Sequence, residues 1–219
     1  MQHREETARS KPITYAKLFW LFLIGSVLGV GIEGVFCLVC HGHWESHVVS
    51  VWGPFCILYG FGAVGFYVGY FALRHKKRWI QFLVYSVVGF GIELLSGALL
   101  EFVLHMRAWD YSGHFLQFRG YVSLKMTLVW GFCGLLFSLF APHIARGLQK
   151  LETRLLRTLA VLLGGLMLVD FAVTGAAIWR WKERHFGVPP QNQLEARLDA
   201  VYDDAFMESR FCEWHFLED

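Results

Sequence analysis

Apolar residues fill five stretches of the chain: Lys17 to Val39, Val51 to Leu73, Trp79 to Leu104, Leu124 to Ala141 and Leu156 to Ile178. Each is close to the ~20 residues that an α-helix needs to cross a bilayer. Short polar connections separate them, including "RHKKR" from Arg74 to Arg78. The pattern predicts an all-α fold, a polytopic helical membrane bundle of about five transmembrane helices. Residues 1–16 form an N-terminal segment, 17–178 the bundle, and 179–219 a polar tail. The tail opens with the break "VPPQNQ", and Leu194, Leu198, Val201 and Ala205 then mark a partial helical stripe. An amphipathic helix resting on the bundle or on a partner is expected there.

Two of the apolar runs share a motif. "SVLGVGIE" from Ser26 to Glu33 returns as "SVVGFGIE" from Ser86 to Glu93, 60 residues on. "VWGPFC" at Val51 resembles "VWGFC" at Val129, at an offset of 78. The expected organisation is therefore a duplicated hairpin, residues 17–73 and 79–141, followed by a fifth helix at 156–178. Because each copy has two spans, both copies enter the membrane in the same direction, as a parallel repeat. The unequal offsets place an insertion in the connection containing "WDYSGHFLQFRG".

The repeat puts Glu33 and Glu93 at equivalent positions, somewhat beyond mid-membrane, with Asp170 at similar depth in the fifth run. An ionisable residue there costs about 2.5 to 3.5 kcal/mol on insertion scales, so it usually faces a bundle interior or a cavity. Gly25, Gly29 and Glu33 recur at steps of four, as do Gly89, Glu93, Gly97 and Glu101. Such small-residue stripes let helices approach closely, and spans one and three are expected to pack through them. Two readings follow: the acids line a ligand or proton pathway, or they are hydrogen-bonded fasteners of the bundle. Nearer the outer surface, Lys125 is the expected ion-pair partner of Glu101, with Asp110 and Arg119 as further polar candidates. Trp52, Tyr59, Trp109, Tyr111 and Trp130 are candidate aromatic lining, although Trp near an interface also serves as an anchor.

Composition supports the membrane reading, with 55% hydrophobic and only 17% charged residues in 219. The first run follows Arg4, Arg9, Lys11 and Lys17 but is longer than a signal h-region and lacks a small-x-small cleavage site, so a retained anchor is expected. Lys and Arg concentrate before span one, between spans two and three, and between spans four and five, which predicts a cytoplasmic N-terminus in the cell (plasma or inner) membrane. Arg180, Lys182 and Arg184 run against this, since they follow the last span on the outward side. The net charge of +2 gives no reason to expect a nucleic-acid partner.

"CLVCHGHWESH", Cys37 to His47, contains the CxxCH pattern of c-type haem attachment, yet Cys37 and Leu38 continue an apolar helix. His41, His43 and His47, with Glu45, are weak metal candidates in the same stretch. The favoured reading is a polar loop without cofactor. No GxxxxGK[ST], GxSxG or HExxH occurs, so the chain carries no P-loop of its own and neither of those hydrolase signatures.

"ELLSGALLE" from Glu93 to Glu101, "WDYS" from Trp109 to Ser112, "LVWG" from Leu128 to Gly131 and "VWGPFCILYGFGA" from Val51 to Ala63 together resemble the CmpB-like family, whose members are named as ABC-transporter permeases. The resemblance covers about residues 17–141. It carries over Trp52, Gly53, Pro54, Tyr59, Gly60, Gly62, Glu93, Gly97, Glu101, Trp109, Asp110, Tyr111, Ser112, Gly120, Trp130 and Gly131. The family pattern has Asn and Arg flanking its glycine after WDYS; here Gln117 and Tyr121 take those places, with Arg119 just before Gly120. The resemblance implies a permease-like transport component with a separate ATPase subunit and membrane lipids as partners. An intramembrane enzyme acting on a lipid, with Glu93 or Glu101 as acid or base and Asp110 assisting, and a non-catalytic scaffold or sensor are the alternative functions.

Overall fold

The computed structural model describes residues 13–44 and 46–217, apart from the side chain of His41. Residues 1–12 of the N-terminal segment, the metal candidate Glu45 and the His41 side chain therefore lie outside the described residues. Five long helices dominate: α1 Tyr15–His41, α2 Ile57–Leu73, α3 Arg78–Leu99, α4 Leu124–Gln149 and α5 Arg154–His185. Four are long and apolar enough to cross a membrane, counting the π-helical turn Leu100–Leu104 that extends α3. The chain is thus a helical membrane bundle. Many of its large apolar side chains, such as Leu28, Val87 and Leu166, point outward, as a bilayer solvent requires.

The second span is shorter than the hydrophobic run. Pro54 offers no backbone N–H and disfavours helix at the residue before it, so α2 starts only after Cys56 and spans 17 residues, about 25 Å. Val51 to Phe55 form a loop instead, closed by Val49 N–H donating to Phe55 O at 2.8 Å and Ser50 Oγ donating to Gly53 O at 2.7 Å. The fourth and fifth helices run past their apolar stretches because polar, helix-favouring residues continue them to Gln149 and His185.

Helices pair as α1 with α2 and α3 with α4. The expected packing of span one on span three is not seen, and the reason lies on the small-residue stripes. A Cβ at Gly29 would sit 2.2 Å from the Tyr59 ring, and one at Gly89 would sit 2.1 Å from Trp130. Each stripe is filled by a large aromatic of its own hairpin. The two hairpins pack alike: Gly60 abuts Ser26 and Phe22, and Gly131 abuts Ser86 and Phe82. In this register Tyr59-Gly60 corresponds to Trp130-Gly131, an offset of 71 residues. The 78-residue alignment of Trp52 with Trp130 does not match the packing, because Trp52 lies in the loop before α2.

The N-terminus of α1, the α2–α3 turn and the α4–α5 turn share one end of the bundle. There Thr14 donates to Glu152, and Trp20 Nε1 donates to Leu156 O at 3.3 Å. The other end carries a folded cap made of residues 42–44, 46–56 and 105–123 and of the tail up to Leu217. In the cap, β2 Gln117–Phe118 pairs with β3 Val122–Ser123 around a turn at Arg119 (φ 53) and Gly120 (φ 75). Gly120 is required twice over, by its left-handed backbone and because a Cβ there would meet Asp110 Oδ1 at 2.3 Å.

The tail folds onto the bundle. Two short helices, α6 Gln193–Val201 and α7 Asp204–Arg210, replace the single expected helix, because the Asp203 side chain caps Phe206 N–H at 2.8 Å and starts a new one. Then β4 His215–Phe216 pairs antiparallel with β1 Met106–Arg107. Met207, Phe211 and Tyr202 pack with Trp181, Ile178 and Val51 in one buried cluster. The cations that conflicted with the charge asymmetry are absorbed by this docking. Arg180, 2% exposed, forks onto Asp199 at 3.0 and 2.7 Å and reaches Glu183 at 2.5 Å. Arg184 binds Asp199 at 2.6 Å and Asp204 at 2.8 Å, and Lys182 Nζ donates to Val103 O at 2.7 Å.

Candidate functional site

A cavity of about 580 Å³ opens between the two hairpins just beneath the cap. Its walls come from α1, α2, α3 and α4, from the loops after α1 and α3, and from the tail. Of the sequence candidates, Glu33, Glu93, Tyr59, Trp109, Tyr111 and Trp130 line it. Phe61, Leu95 and Leu99 also line it while being 56%, 73% and 59% exposed, so its mouth faces sideways between α2 and α3 rather than only toward the cap.

Glu93 lies in the wall, 6% exposed. Gly89 and Gly97, one turn to either side, admit Trp130 and Tyr121, and this close packing removes Glu93 from solvent. Tyr111 donates its hydroxyl to Glu93 Oε1 at 3.4 Å, whereas Oε2 has no hydrogen-bond partner. The indole of Trp130 lies beside the same carboxylate, but its buried N–H likewise finds no partner of hydrogen-bond geometry. An acceptor and a donor thus stand unsatisfied side by side, a rare arrangement in a packed interior.

The WDYS turn explains how Tyr111 reaches this point. Trp109 Nε1 donates to Tyr121 O at 2.8 Å. Asp110 Oδ1 accepts from Ser112 N–H at 2.8 Å and from its hydroxyl at 2.5 Å. The turn so fixed aims Tyr111 into the bundle, where burial and then the Glu93 and Glu33 charges push its phenol well above the usual range. Asp110 itself is outside the cavity. The Ser112 hydroxyl holds its carboxyl below the ordinary value, and Arg107 lies 3.2 Å away.

Glu33 meets the cavity from α1. It pairs with His47 Nε2 at 3.3 Å, and His47 reaches Glu213 of the tail at 3.1 Å. From the sequence His47 stands only as a weak metal candidate, and no motif there marks Glu213. The available signal was an acid among aromatics in "FCEWHF", where Phe211, Glu213 and Trp214 all line the cavity. Among the described residues no three His, Cys, Asp or Glu side chains gather as a metal site, and His43 is exposed. Cys37 and Cys40 lie within α1 rather than in a loop.

The other candidates belong to two separate clusters. Glu101, in the π-helical turn, is held by Arg107 at 2.9 Å and Arg119 at 3.3 Å. Lys125, the expected partner, is exposed and makes no ion pair among the described residues, because the loop after α3 folds back and brings Arg107 and Arg119 closer. Asp170 is buried on α5, and its Oδ1 accepts from Trp52 N–H at 3.2 Å and from Thr174 at 3.4 Å. Trp52 directs its indole N–H to Tyr202 at 2.7 Å and is 58% exposed, so it fastens the tail and does not line the cavity.

Neither a curated protein nor a solved structure matches the chain. A protein family does. Glu33, Glu93, the WDYS turn and the Tyr59-Gly60 and Trp130-Gly131 contacts all fall inside residues 20–175, which match the family described as "Putative ABC-transporter type IV", and the chain belongs to that family.

Proposed function

We propose that the protein is a permease-like transport component and that the cavity between its hairpins is where it holds its ligand. The observation that carries this reading is Glu93, a buried carboxylate with one unpartnered oxygen in the wall of a mostly apolar, laterally open cavity. Burying such a group is costly unless something meets it. Glu33 and Tyr111 add polar contacts at the same level, while the apolar remainder accepts a hydrophobic body. Glu101, Asp110, Arg119 and Asp170 support the cap around the site.

Energy for transport would come from a separate ATPase subunit, in keeping with family membership and with the absence of a P-loop. Arg74, Lys76, Lys77, Arg78, Arg146 and Lys150 gather at the end opposite the cap, which favours that end as cytoplasmic. Arg180, Lys182 and Arg184 no longer oppose this orientation, since their charges are engaged by tail acids and a helix carbonyl.

Purification from native membranes in mild detergent, with mass spectrometry of co-purifying protein and lipid, tests the reading. Ser96 lines the cavity, so Ser96→Trp fills it. A ligand retained by the wild type and lost from Ser96→Trp, together with a stoichiometric P-loop ATPase, is the expected result. A ligand retained equally by both removes the cavity from the function.

A further inference from the structure

On the reading that the cavity is the ligand site, we infer that its ligand is a cationic amphiphile: a single apolar chain bearing a protonated amine that meets Glu93, not a phospholipid. Three observations fix this chemistry. First, among the described residues the cavity wall contains three carboxylates, Glu33, Glu93 and Glu213, but no Lys or Arg. The basic side chain among these described residues, His47, is already bound to Glu33 and Glu213. An anionic or zwitterionic phosphate placed here would face these acids with no guanidinium or ammonium beside it, and like charges at such spacing are unfavourable. Of the cap arginines, Arg107 and Arg119 are taken up by Glu101, and Arg210 donates to the Ser50 and Gly53 carbonyls.

Second, the two unsatisfied atoms specify the head group. Glu93 Oε2 is an unused acceptor on a side chain that is 6% exposed, and an ammonium donates to it with a charge-assisted hydrogen bond. Trp130 Nε1–H is an unused donor beside it, suited to an acceptor on the same head group. Tyr111, Trp109, Trp214 and Trp130 surround the same space, and aromatic faces attract an organic cation. Third, the exposed Phe61, Leu95 and Leu99 at the mouth let an alkyl chain extend sideways into the hydrocarbon while the head stays at Glu93.

The test uses the full chain in nanodiscs and a dodecylamine carrying a diazirine on its chain. Photolabelling is competed by unlabelled dodecylamine, dodecanol and dodecanoate, and labelled peptides are mapped. Dodecylamine is expected to compete roughly 10-fold or more better than dodecanol, the ratio one charged hydrogen bond supplies. Dodecanoate should be the weakest, and label should fall on α2 and α3 at the mouth. Glu93→Gln should bring amine and alcohol to parity, whereas Glu93→Asp, which keeps the charge, should restore a preference and so separate loss of charge from loss of fold. Equal competition by amine and alcohol, both blocked by Ser96→Trp, overturns the cationic head group and leaves the cavity as the ligand site. Labelling that ignores Ser96→Trp and maps elsewhere overturns the cavity reading and this inference with it.

Discussion

The tail forms part of the cavity wall, so its docking is a functional matter, and Arg180 is where that docking is most exposed to test. Arg180→Met keeps much of the aliphatic volume but removes three charged hydrogen bonds, two to Asp199 and one to Glu183. At the low end for charged pairs, on the order of 1.5 kcal/mol each, these would sum to between 4 and 5. Asp199 retains Arg184 at 2.6 Å, and both acids reach water, being 16% and 26% exposed, so the value is discounted to about 3 kcal/mol. Spread over local opening of the tail, this is roughly a 100-fold increase in the open population. Amide exchange across Gln193–Phe216 in detergent, read by mass spectrometry, measures it directly. Exchange should accelerate there and not in α1 to α4. Unchanged exchange at α6 and α7, or uniform acceleration throughout the chain, would refute the argument that this ion cluster specifically anchors the tail. The pH dependence has a definite sign. Arg180 holds the Asp199 carboxyl below its ordinary value of 3.8, so the stabilisation is fully present above that value and is lost as pH falls through the depressed one.

Three further outcomes follow from the packing. Asp170→Asn keeps the acceptor for Trp52 N–H, whereas Asp170→Leu strands that amide and costs about 1 to 3 kcal/mol, to be read as a lower melting temperature in detergent for the leucine variant alone. Gly89→Leu drives a side chain into the space of Trp130 and should abolish stable expression, while Gly91→Leu, which faces open space, should be tolerated. Burial pushes the Cys56 thiol up to about 12, so at pH 8 a water-soluble alkylating reagent should modify the exposed Cys212 and spare Cys56 until the protein is unfolded.

Hydrophobic run length located the five helices, because a bilayer calls for an apolar run near ~20 residues in each span, and the caps Thr14, Ser123 and Thr153 lie at the polar breaks; it did not give the ends of α2, α4 or α5. Glu33 and Glu93, the acids of the Gly-x-Gly-Ile-Glu repeat, both line the one cavity. What periodicity could not convey was which partner fills a small-residue stripe. Gly29 and Gly89 are equally good seats for a neighbouring helix or for an aromatic ring, and only the fold decided for Tyr59 and Trp130. Nor could proximity along the chain reveal that Glu101 would find Arg107 and Arg119, that Asp170 would serve a loop amide, or that Glu213 would return some 180 residues later to meet His47 beside Glu33. Those pairings depend on where long polar loops and the tail come to rest on the bundle. A local sequence pattern records which groups must avoid lipid; the tertiary structure alone determines which of them meet.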